Sequence, residues 1–342
     1  MSLPLTQPYL PMEATTGDLI PVGPGWQYEP KWDGFRCLAF RDGGMIDLQS
    51  KSAQPLARYF PELVAGLLAL KAKKCVLDSE IIVILDGNLS FDELLMRIHP
   101  ADSRIRKLSV QHPALLVVFD LLVDDKGKAL VELPLEDRRT RLEAFAAKYF
   151  EGNPRVALSP ATRNLAEARR WFHEMGGGLD GIVAKELAAP YLTGERAGMQ
   201  KIKNLRTADC VVGGFRYASK GRVVGSLLLG LYDSEGLLHH VGFTSSIHNV
   251  DRKAVTAKLE KLAAPPGFTG RAPGGPSRWS TKRSSEWEPL KPELVVEVQY
   301  DHFSGGRFRH GTKLLRWRPD KGPRQCKLAQ VERESRSPLG LL

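Results

Sequence analysis

The order of apolar and polar residues in positions 1–205 predicts a mixture of strands and helices. Short apolar runs bounded by turn-forming residues are typical of strands, whereas apolar residues spaced three and four apart are typical of amphipathic helices. By these criteria we predict strands at 45–51, 75–84, 115–122, 182–185 and 199–204. Helices are predicted at 56–70, 135–149 and 165–175, so the fold class is α+β.

The pattern changes after about position 207, where short strand-like runs replace the longer elements. We predict strands at 210–215, 223–232, 237–243 and 294–298, a helix at 251–262 and a Pro/Gly-rich loop at 265–276. Several short strands with one helix suit a small barrel of the oligonucleotide-binding type, although other small β folds stay open. The sequence therefore predicts two domains, 1–205 and 206–327, followed by a charged C-terminal tail at 328–342.

Acidic and basic residues interrupt two of the predicted elements. Glu80 lies in the strand at 75–84, where burial is costly unless the carboxylate meets a cation, a hydroxyl group or water. An edge strand with its acids in solvent is the simpler alternative. In the helix at 135–149 we place Arg138, Arg139 and Arg141 on the solvated side.

Length, charge and cysteine usage narrow the class of protein. The chain has 342 residues, 42% of them hydrophobic, with 49 Lys and Arg against 39 Asp and Glu and a formal net charge of +10. Such a charge favours a polyanionic partner but does not separate nucleic acid from acidic lipid. No run approaches the roughly 20 apolar residues of a membrane span, and the four cysteines lack zinc-site spacing. We expect a cytoplasmic monomer without membrane contact.

The stretch 29–36, Glu-Pro-Lys-Trp-Asp-Gly-Phe-Arg, places Lys31 beside aromatic and charged groups at a predicted turn. Lysine is a nucleophile only when neutral, and its ordinary pKa of about 10.4 must fall before the neutral amine is populated near neutral pH. Burial beside Trp32 and a positive field from Arg36 and other lysines would lower that pKa. The plain alternative is a solvated surface lysine.

Lys201 and Lys203 would point to the same side of the strand at 199–204. Two ammonium groups on one face repel each other unless an anion lies between them, so a phosphate site is a natural hypothesis. Taken alone, the pair is explained as well or better by a solvated face.

The pattern Lys31-x-Asp33-Gly34-x-Arg36 resembles the nucleotide-attachment motif of the covalent nucleotidyltransferases, which include DNA ligases, RNA ligases and mRNA capping enzymes. Further segments follow in the order of that family's motifs, namely those at Glu80, Phe119, Asp180, Lys201-Ile202-Lys203 and Arg318-Pro319-Asp320-Lys321. From 29 to 321 the chain is most similar to a small bacterial ATP-dependent DNA ligase. The resemblance implies a nucleotidyltransferase domain with ATP-grasp-like antiparallel sheets and helices, followed by an oligonucleotide-binding barrel.

The resemblance implies a role for each matching residue. Lys31 would be the nucleophile that takes up AMP, Arg36 would contact the ribose and later the nick, and Phe119 would stack on adenine. Glu80 and Asp180 are the implied metal ligands. The other implied nucleotide contacts are Glu29 and Glu80, then Lys201 and Lys203 at the α-phosphate, and Arg318, Asp320 and Lys321 at the pyrophosphate leaving group. For Phe119 a plain core role is the alternative, because aromatic residues in buried strands are usually core.

Two positions depart from the ligase pattern. Asp180 stands where most ATP-dependent ligases carry Glu, which keeps the charge but shortens its reach. Lys51 follows Ser50 where ligases commonly have Arg, and lysine lacks the bidentate fork with which arginine meets phosphate. Contact with DNA at Lys51 is therefore less strongly implied.

The implied activity is the sealing of nicks between 3′-hydroxyl and 5′-phosphate ends through a covalent lysyl-AMP intermediate, in DNA repair or recombination. The implied cofactors are ATP and Mg²⁺, with Mn²⁺ as a substitute, and the implied partners are nicked double-stranded DNA and other DNA-repair proteins. ATP is favoured over NAD because we find neither an N-terminal nicotinamide domain nor a cysteine-rich zinc module. A GTP-dependent capping-like or RNA-joining enzyme stays open, as does a non-catalytic nucleic-acid-binding protein.

Overall fold

The computed structural model describes residues 2–174, 179–247, 252–274, 286–332 and 337–342. The chain folds into two units, Met1–Asn204 with Ser335–Leu342, and Leu205–Glu334. The first residue of the helix predicted at 251–262, the last residue of the one at 165–175 and the end of the loop at 265–276 lie outside the described residues. Within the described ranges, no helix is long and apolar enough to cross a membrane.

The first unit contains the predicted strands and helices, together with two helices and three short strands that the sequence analysis did not predict, at 91–97, 102–111, 15–17, 88–89 and 156–158. Its helix α1 begins later than expected, because residues 57–59 form a separate 3-10 turn. In chain order the elements are β1 (Thr15–Gly17), β2 (Trp26–Lys31), β3 (Phe35–Asp42), β4 (Met45–Ser50), α1 (Pro61–Ala69), β5 (Lys74–Leu85), β6 (Asn88–Leu89), α2 (Phe91–Arg97), α3 (Asp102–Gln111), β7 (Ala114–Val123), α4 (Leu135–Tyr149), β8 (Val156–Leu158), α5 (Leu165–Glu174), β9 (Gly181–Glu186) and β10 (Met199–Lys203).

The strands of this unit form two sheets. One has the order β1-β10-β9-β2, and the other has the order β4-β3-β5-β7-β8 with β6 paired to β5. Neighbouring strands are antiparallel except for β1 with β10 and β7 with β8. The predicted α+β class with largely antiparallel sheets is therefore confirmed.

β5 is a central strand, because it pairs with β3 on one side and β7 on the other. Its alternate residues, such as Leu77, pack in the core that includes α1 and α4, so Asp78 and Glu80 point to the opposite face. The register places Arg36 opposite Glu80 and Asp120 opposite Asp78. The alternative of an edge strand with solvated acids is therefore wrong, and these charged groups share a protected face of the sheet.

Helix α4 buries two arginines that the sequence analysis placed in solvent. Arg138 is 2% exposed and Arg139 is 7% exposed, whereas Arg141 is exposed as predicted. Arg138 donates to both carboxylate oxygens of Asp120 at 3.0 Å and to two backbone carbonyls at 2.6 and 3.2 Å. Because a buried acid on β7 needs a cation, α4 turns Arg138 inward.

The second unit consists of short strands and a helix. The longer strands form a path in the order β13-β12-β11-β15-β18, with β14 paired to β11. In chain order the elements are β11 (Arg206–Tyr217), β12 (Val224–Tyr232), β13 (Leu238–Thr244), α6 (Arg252–Glu260), β14 (Glu288–Pro289), β15 (Val295–Tyr300), β16 (Phe303–Ser304), β17 (Arg307–Phe308) and β18 (Lys313–Trp317).

The two ends of this strand path meet and close the sheet into a barrel. Thr244, at the end of β13, forms a parallel bridge with Thr312, directly before β18. The Thr312 N–H donates to the Phe243 carbonyl at 3.0 Å, and the Thr244 hydroxyl donates to the Thr312 carbonyl at 2.8 Å. The interior is apolar, with Leu229 and Val296 fully buried. A closed barrel of this strand order, with a helix after β13, confirms the predicted oligonucleotide-binding type.

Replacing Asp120 by alanine should strongly destabilise the first unit, because the Arg138 charge would stay buried without its carboxylate. We expect the free energy of unfolding in urea to fall by about 3–5 kcal/mol. Glu136→Ala, on the same helix, is the matched control, since Glu136 and its ion-pair partner Arg163 are both exposed and the loss of this pair should cost less than about 1 kcal/mol. Equally small losses in both variants would contradict a structural role for the buried pair.

Candidate active site

A cavity of about 200 Å³ in the first unit collects most of the residues singled out in the sequence. Its walls come from β2, β9 and β10 of one sheet and from β3, β5 and β7 of the other. Asp180 contacts the cavity residue Lys31 directly, and Lys203 lies on β10 beyond the cavity wall. The predicted site residues that line the cavity are Glu29, Lys31, Arg36, Glu80, Phe119 and Lys201. The predicted residues that belong to the second unit instead are Arg318, Asp320 and Lys321.

Lys31 ends β2 and forms an ion pair with Asp180, which directly precedes β9. Backbone pairing sets up this contact, because Lys31 lies opposite Gly181 and its carbonyl accepts from the Asp180 N–H at 3.1 Å. Burial alone would lower the pKa of Lys31, but the carboxylates of Asp180, Glu80 and Asp33 together outweigh burial and raise it. The expected lowering of this pKa is therefore wrong for the site as it stands, and Lys31 is held as an ammonium.

Two glycines allow a close backbone approach beside this ion pair. A Cβ atom on Gly34 would lie 2.1 Å from the Ile81 carbonyl oxygen, and one on Gly181 would lie 2.0 Å from that of Ile202. Gly181 also has a φ of +143°, which residues with a side chain rarely adopt. Glycine is therefore required after both Asp33 and Asp180, where the chain runs against β5 and β10.

Arg36 is fixed by a buried carboxylate rather than left free in the cavity. Its Nε and Nη2 donate to the two oxygens of Asp78 at 2.5 and 2.6 Å, and Asp78 is fully buried. The Tyr191 hydroxyl donates to the same carboxylate at 2.6 Å and accepts from the Met12 N–H at 3.1 Å. Sequence reasoning gave Asp78 and Tyr191 no role. The available signal for Asp78 was its place two residues before Glu80, on the same face of the strand.

The Phe119 ring lies against two cations. The Arg36 guanidinium carbon and the Lys185 Nζ are each 4.6 Å from the ring centroid. Lys185 also pairs with Glu29 at 2.7 Å, and Glu29 accepts a hydrogen bond from the Gln27 amide at 2.8 Å. Phe119 is 8% exposed, so it packs like a core residue and still contributes to the cavity wall. Lys185, which sequence reasoning also missed, links this ring to the buried acid Glu29.

Glu80 is the carboxylate best placed to receive a ligand. Burial raises its pKa to about 7, against the opposing charges of Arg36 and Lys31. Throughout the described ranges its carboxylate makes no hydrogen bond or ion pair, and no cluster of three or more His, Cys, Asp or Glu side chains is arranged to hold a metal. Glu80 and Asp180 thus offer two carboxylates beside Lys31. This is a donor set that Mg²⁺ commonly accepts when waters and substrate phosphates complete its coordination.

Lys201 contributes to a local excess of positive charge. Its pKa is lowered by burial and by the charges of Lys31, Lys51, Lys203 and Arg196. β10 directs Lys201 and Lys203 to the same side, as its alternation predicts. An anion would stabilise this group of positive charges, so a phosphate site stays a prediction beside the alternative of a solvated face.

Residues 11–14 form a segment of the cavity wall that sequence reasoning did not associate with the site. The Met12 carbonyl accepts from Arg36 Nη2 at 3.3 Å. Glu13 pairs with Lys51 at 2.9 Å. This segment therefore holds Lys51, one of the two departures from the ligase pattern, at the cavity wall.

Arg318, Asp320 and Lys321 form a charged group within the second unit. Arg318 donates to Asp320 through Nε and Nη2 at 3.0 and 2.8 Å, and its Nη1 donates to Asp209 at 2.9 Å. Lys321 donates to the other Asp209 oxygen at 2.6 Å. The hydrogen bonds from Arg318 lower the pKa of Asp320 to about 2. Asp209 is a further residue to which the sequence pattern assigned no role.

Sequence profiles and curated relatives agree on one family. The family profile described as the ATP dependent DNA ligase domain matches residues 15–203, and the one described as the ATP dependent DNA ligase C terminal region matches residues 220–321. DNA ligase C2 of Mycolicibacterium smegmatis is 43% identical over an alignment of 353 residues, gaps included. The alignment covers 97% of this chain and 96% of that protein. DNA ligase C of Mycobacterium tuberculosis is 42% identical, with the same coverage of both chains.

More distant relatives extend the comparison. A multifunctional non-homologous end joining DNA repair protein, LigD of Mycobacterium tuberculosis, is 30% identical over 327 residues, which cover 92% of this chain but only 39% of LigD. Among solved structures, that of a Lig E DNA ligase has a TM-score of 0.55 and 15% sequence identity, and covers 90% of this chain and 99% of that chain. The last likeness shows the shared fold.

Asp180→Asn should lower the pKa of Lys31, because it removes the carboxylate that raises this pKa most. We would acylate the chain with an amine-reactive reagent between about pH 7 and pH 11, without nucleotide or metal, and quantify Lys31 by peptide mass spectrometry. The midpoint should move to lower pH, since the neutral amine would appear earlier as pH rises. Asp18→Asn, an exposed site, is the control. Identical midpoints in wild type, Asp180→Asn and Asp18→Asn would show that Asp180 does not raise the pKa of Lys31.

Glu80→Gln should make stability less dependent on pH. The pKa of Glu80 rises from 4.5 to about 7 on folding, so the native chain binds more protons than the unfolded chain between these values, and stability falls as pH rises. Between about pH 5 and pH 8, the free energy of unfolding in urea should rise for the variant relative to wild type, by up to about 3 kcal/mol. A stability difference that is the same at both pH values would count against a buried, unpaired Glu80.

Proposed function

The chain belongs to the ATP-dependent DNA ligases, and we propose that Lys31 is the residue that carries AMP from ATP to the 5′-phosphate of a nicked strand. The observation that carries this proposal is the meeting, in one cavity, of a shielded lysine with carboxylates, an aromatic ring and further cations. Nucleotidyl transfer needs a positioned nucleophile and groups that neutralise developing charge. A protein that only binds nucleic acid needs neither.

In the first proposed step, Lys31 attacks the α-phosphate of ATP. Its Nζ must first lose a proton, and the carboxylates of Asp180 and Glu80 oppose that loss because they raise the pKa of Lys31. Any cation that engages these carboxylates would lower the pKa and release the neutral amine. The new N–P bond then forms as the bond between the α- and β-phosphates breaks, and pyrophosphate leaves.

Glu80 and Asp180 are the proposed ligands of Mg²⁺, with Mn²⁺ as a substitute. When bound, the metal supplies charge neutralisation at the phosphate oxygens. The short side chain of Asp180 is sufficient for this place, because hydrogen bonding between the Asp180 and Lys31 backbones already brings the two residues together. This would explain why aspartate can stand where most ATP-dependent ligases carry glutamate.

Phe119 and Glu29 are the proposed adenine contacts. Phe119 contributes an aromatic ring to the cavity wall, and Glu29 is a buried carboxylate held by Lys185 and Gln27. An ionised carboxylate only accepts hydrogen bonds, so it suits the amino group of adenine and opposes the carbonyl oxygen at the same position of guanine. The buried acid therefore supports ATP over GTP as the substrate.

The remaining nucleotide contacts follow the charge pattern. Arg36 would bind the ribose and later the nick, and Lys201 and Lys203 would bind the α-phosphate. Burial and the surrounding cations lower the pKa of Lys201, which supports an anion there. In the second unit, Arg318, Asp320 and Lys321 would orient the pyrophosphate leaving group.

We further propose that the second unit changes position between steps, first facing ATP and then holding DNA. The sequence suggested a hinge at 204–209. β11 is already paired with β15 from Arg206 onward, so the proposed hinge shortens to Asn204 and Leu205. The adenylation domain at 1–205 and the oligonucleotide-binding domain at 206–327 keep their proposed functional assignments.

Nicked double-stranded DNA is the proposed partner, held mainly through phosphate contacts by basic residues. After transfer of AMP to the 5′-phosphate, the adjacent 3′-hydroxyl would displace AMP and seal the strand. The LigD relative is named a DNA repair protein, which supports a role in repair, with other repair proteins as candidate partners. The monomeric state and the cytoplasmic location stay predictions.

Incubation with ATP and Mg²⁺ should increase the intact mass of the chain by one AMP, and Lys31→Ala should show no increase. Reactions with GTP, with NAD and without Mg²⁺ test the choice of nucleotide and the metal. Lys126→Ala, a change at an exposed lysine, is the matched control and should take up AMP normally. An adduct that persists in Lys31→Ala would overturn the assignment of the nucleophile, and a GMP adduct would favour a capping-like enzyme.

A further inference from the structure

The four residues Arg318-Pro319-Asp320-Lys321 form a tight turn that places two cations side by side. The Lys321 N–H donates to the Arg318 carbonyl at 3.2 Å. This bond between the first and fourth residues is that of a β-turn, which brings their Cα atoms together. Proline at the second position already has the φ angle that such turns require. The turn thus brings the Arg318 guanidinium and the Lys321 ammonium group next to each other.

Both cations of this turn converge on one carboxylate, that of Asp209 on β11. Arg318 Nη1 donates to Oδ1 at 2.9 Å, and Lys321 Nζ donates to Oδ2 at 2.6 Å. The three side chains are only 18%, 27% and 13% exposed for Arg318, Lys321 and Asp209. Because each cation takes a different oxygen, the geometry of a single carboxylate sets the separation of the two positive groups.

The place of Asp209 in the barrel would be unfavourable without these cations. Asp209 lies opposite Glu297 on the neighbouring strand β15, and like charges directly opposite each other destabilise a sheet. Arg316 pairs with Glu297 at 2.6 Å, and Arg318 Nη1 lies 3.9 Å from the same carboxylate. Arg318 therefore lies between the carboxylates of Asp209 and Glu297, and its positive charge offsets their repulsion.

Gln330 fixes the backbone from which the Asp209 side chain projects. The Asp209 N–H donates to Gln330 Oε1 at 2.9 Å, and Gln330 Nε2 donates to the Asp209 carbonyl at 2.9 Å. β12 joins β11 only from Val211 onward, so the amide takes the place of a neighbouring strand at Asp209. Hydrogen bonds thereby fix both the backbone of Asp209 and its carboxylate oxygens.

We propose that Asp209 is a positioning residue for the first step, which holds Arg318 and Lys321 together as a preformed receptor for the pyrophosphate leaving group. The inference rests on the proposed function, since it takes these two cations to face pyrophosphate. Two cations repel each other when they are brought together for one anion, and a carboxylate behind them offsets that repulsion. Preorganised charge needs no rearrangement when negative charge develops on the leaving group.

The test separates two reactions of the full chain, adenylation from ATP with Mg²⁺ and sealing of a nick that already carries AMP on its 5′-phosphate. Only adenylation produces pyrophosphate. We expect Asp209→Asn to slow adenylation by between about 10-fold and 100-fold, and to leave sealing within about twofold of wild type. Glu235→Gln removes an exposed carboxylate between β12 and β13 of the same unit and should change neither reaction.

Gln330→Ala gives a second variant that keeps every charge and removes the two hydrogen bonds to the Asp209 backbone, together with one to the Lys327 carbonyl. It should show a smaller loss of adenylation than Asp209→Asn, again with sealing unchanged. If Asp209→Asn does not fold, Gln330→Ala tests the positioning role of Asp209 in its place. Normal adenylation in Gln330→Ala would then overturn the inference.

Arg318→Ala separates this inference from the proposed function. Slow adenylation in Arg318→Ala with normal adenylation in Asp209→Asn would overturn the positioning role and leave the proposed function standing. Normal adenylation in Arg318→Ala would instead overturn the assignment of the pyrophosphate contacts. An equal loss of adenylation and sealing in Asp209→Asn would make Asp209 a structural residue and would also overturn the inference.

Discussion

Two buried acids that face each other across neighbouring strands set the architecture of the first unit. Asp78 on β5 and Asp120 on β7 are partners in register, and each accepts two hydrogen bonds from one arginine, Arg36 from β3 and Arg138 from α4. A buried carboxylate left without its cation is strongly destabilising. Tyr191 joins the two pairs, because its hydroxyl donates to Asp78 while the Arg138 guanidinium lies 5.7 Å from its ring centroid. The strands, the helix and the cavity wall are therefore held by one layer of paired charge.

Charge also gives the cavity two distinct sides. Around Lys31 the carboxylates raise the pKa of the lysine despite its burial, whereas burial and nearby cations lower the pKa of Lys201. A groove that only binds nucleic acid would be basic throughout, as phosphate contacts require. The cavity instead combines carboxylates with cations, a composition that suits transfer of a charged group better than simple attachment.

The features predicted correctly from the sequence are those encoded locally. Alternation and periodicity predicted β5, β7 and α4, and the contiguous residues from Lys31 to Arg36 carried the family resemblance. The failures that concern charged residues required knowledge of distant partners. Arg138 is buried because Asp120 lies beneath it, and the direction of the Lys31 pKa depends on Asp180, which is 149 residues away in the chain.

Other site residues were missed for the same physical reason. Lys185 acquires a role only because β9 pairs with β2 and brings it to Glu29. Gln330 matters only because the chain returns to the start of β11 after the barrel is complete. A polar residue outside any local sequence motif can contact many different residues in a folded chain. Which of them it contacts is decided by the tertiary fold and is not encoded in the neighbouring sequence.

The pairing of β2 with β9 has a consequence for the order in which the chain is made. β2 leaves the ribosome early, yet its strand partner begins only at Gly181, so Lys31 lacks its ion-pair partner Asp180 until most of the first unit has been translated. Domains generally fold as units during synthesis. A nascent chain that ends before β9 contains Arg36 and Asp78 but lacks the residues of β9 and β10 that line the cavity. A complete cavity is therefore a property of the finished first unit rather than of its N-terminal motif.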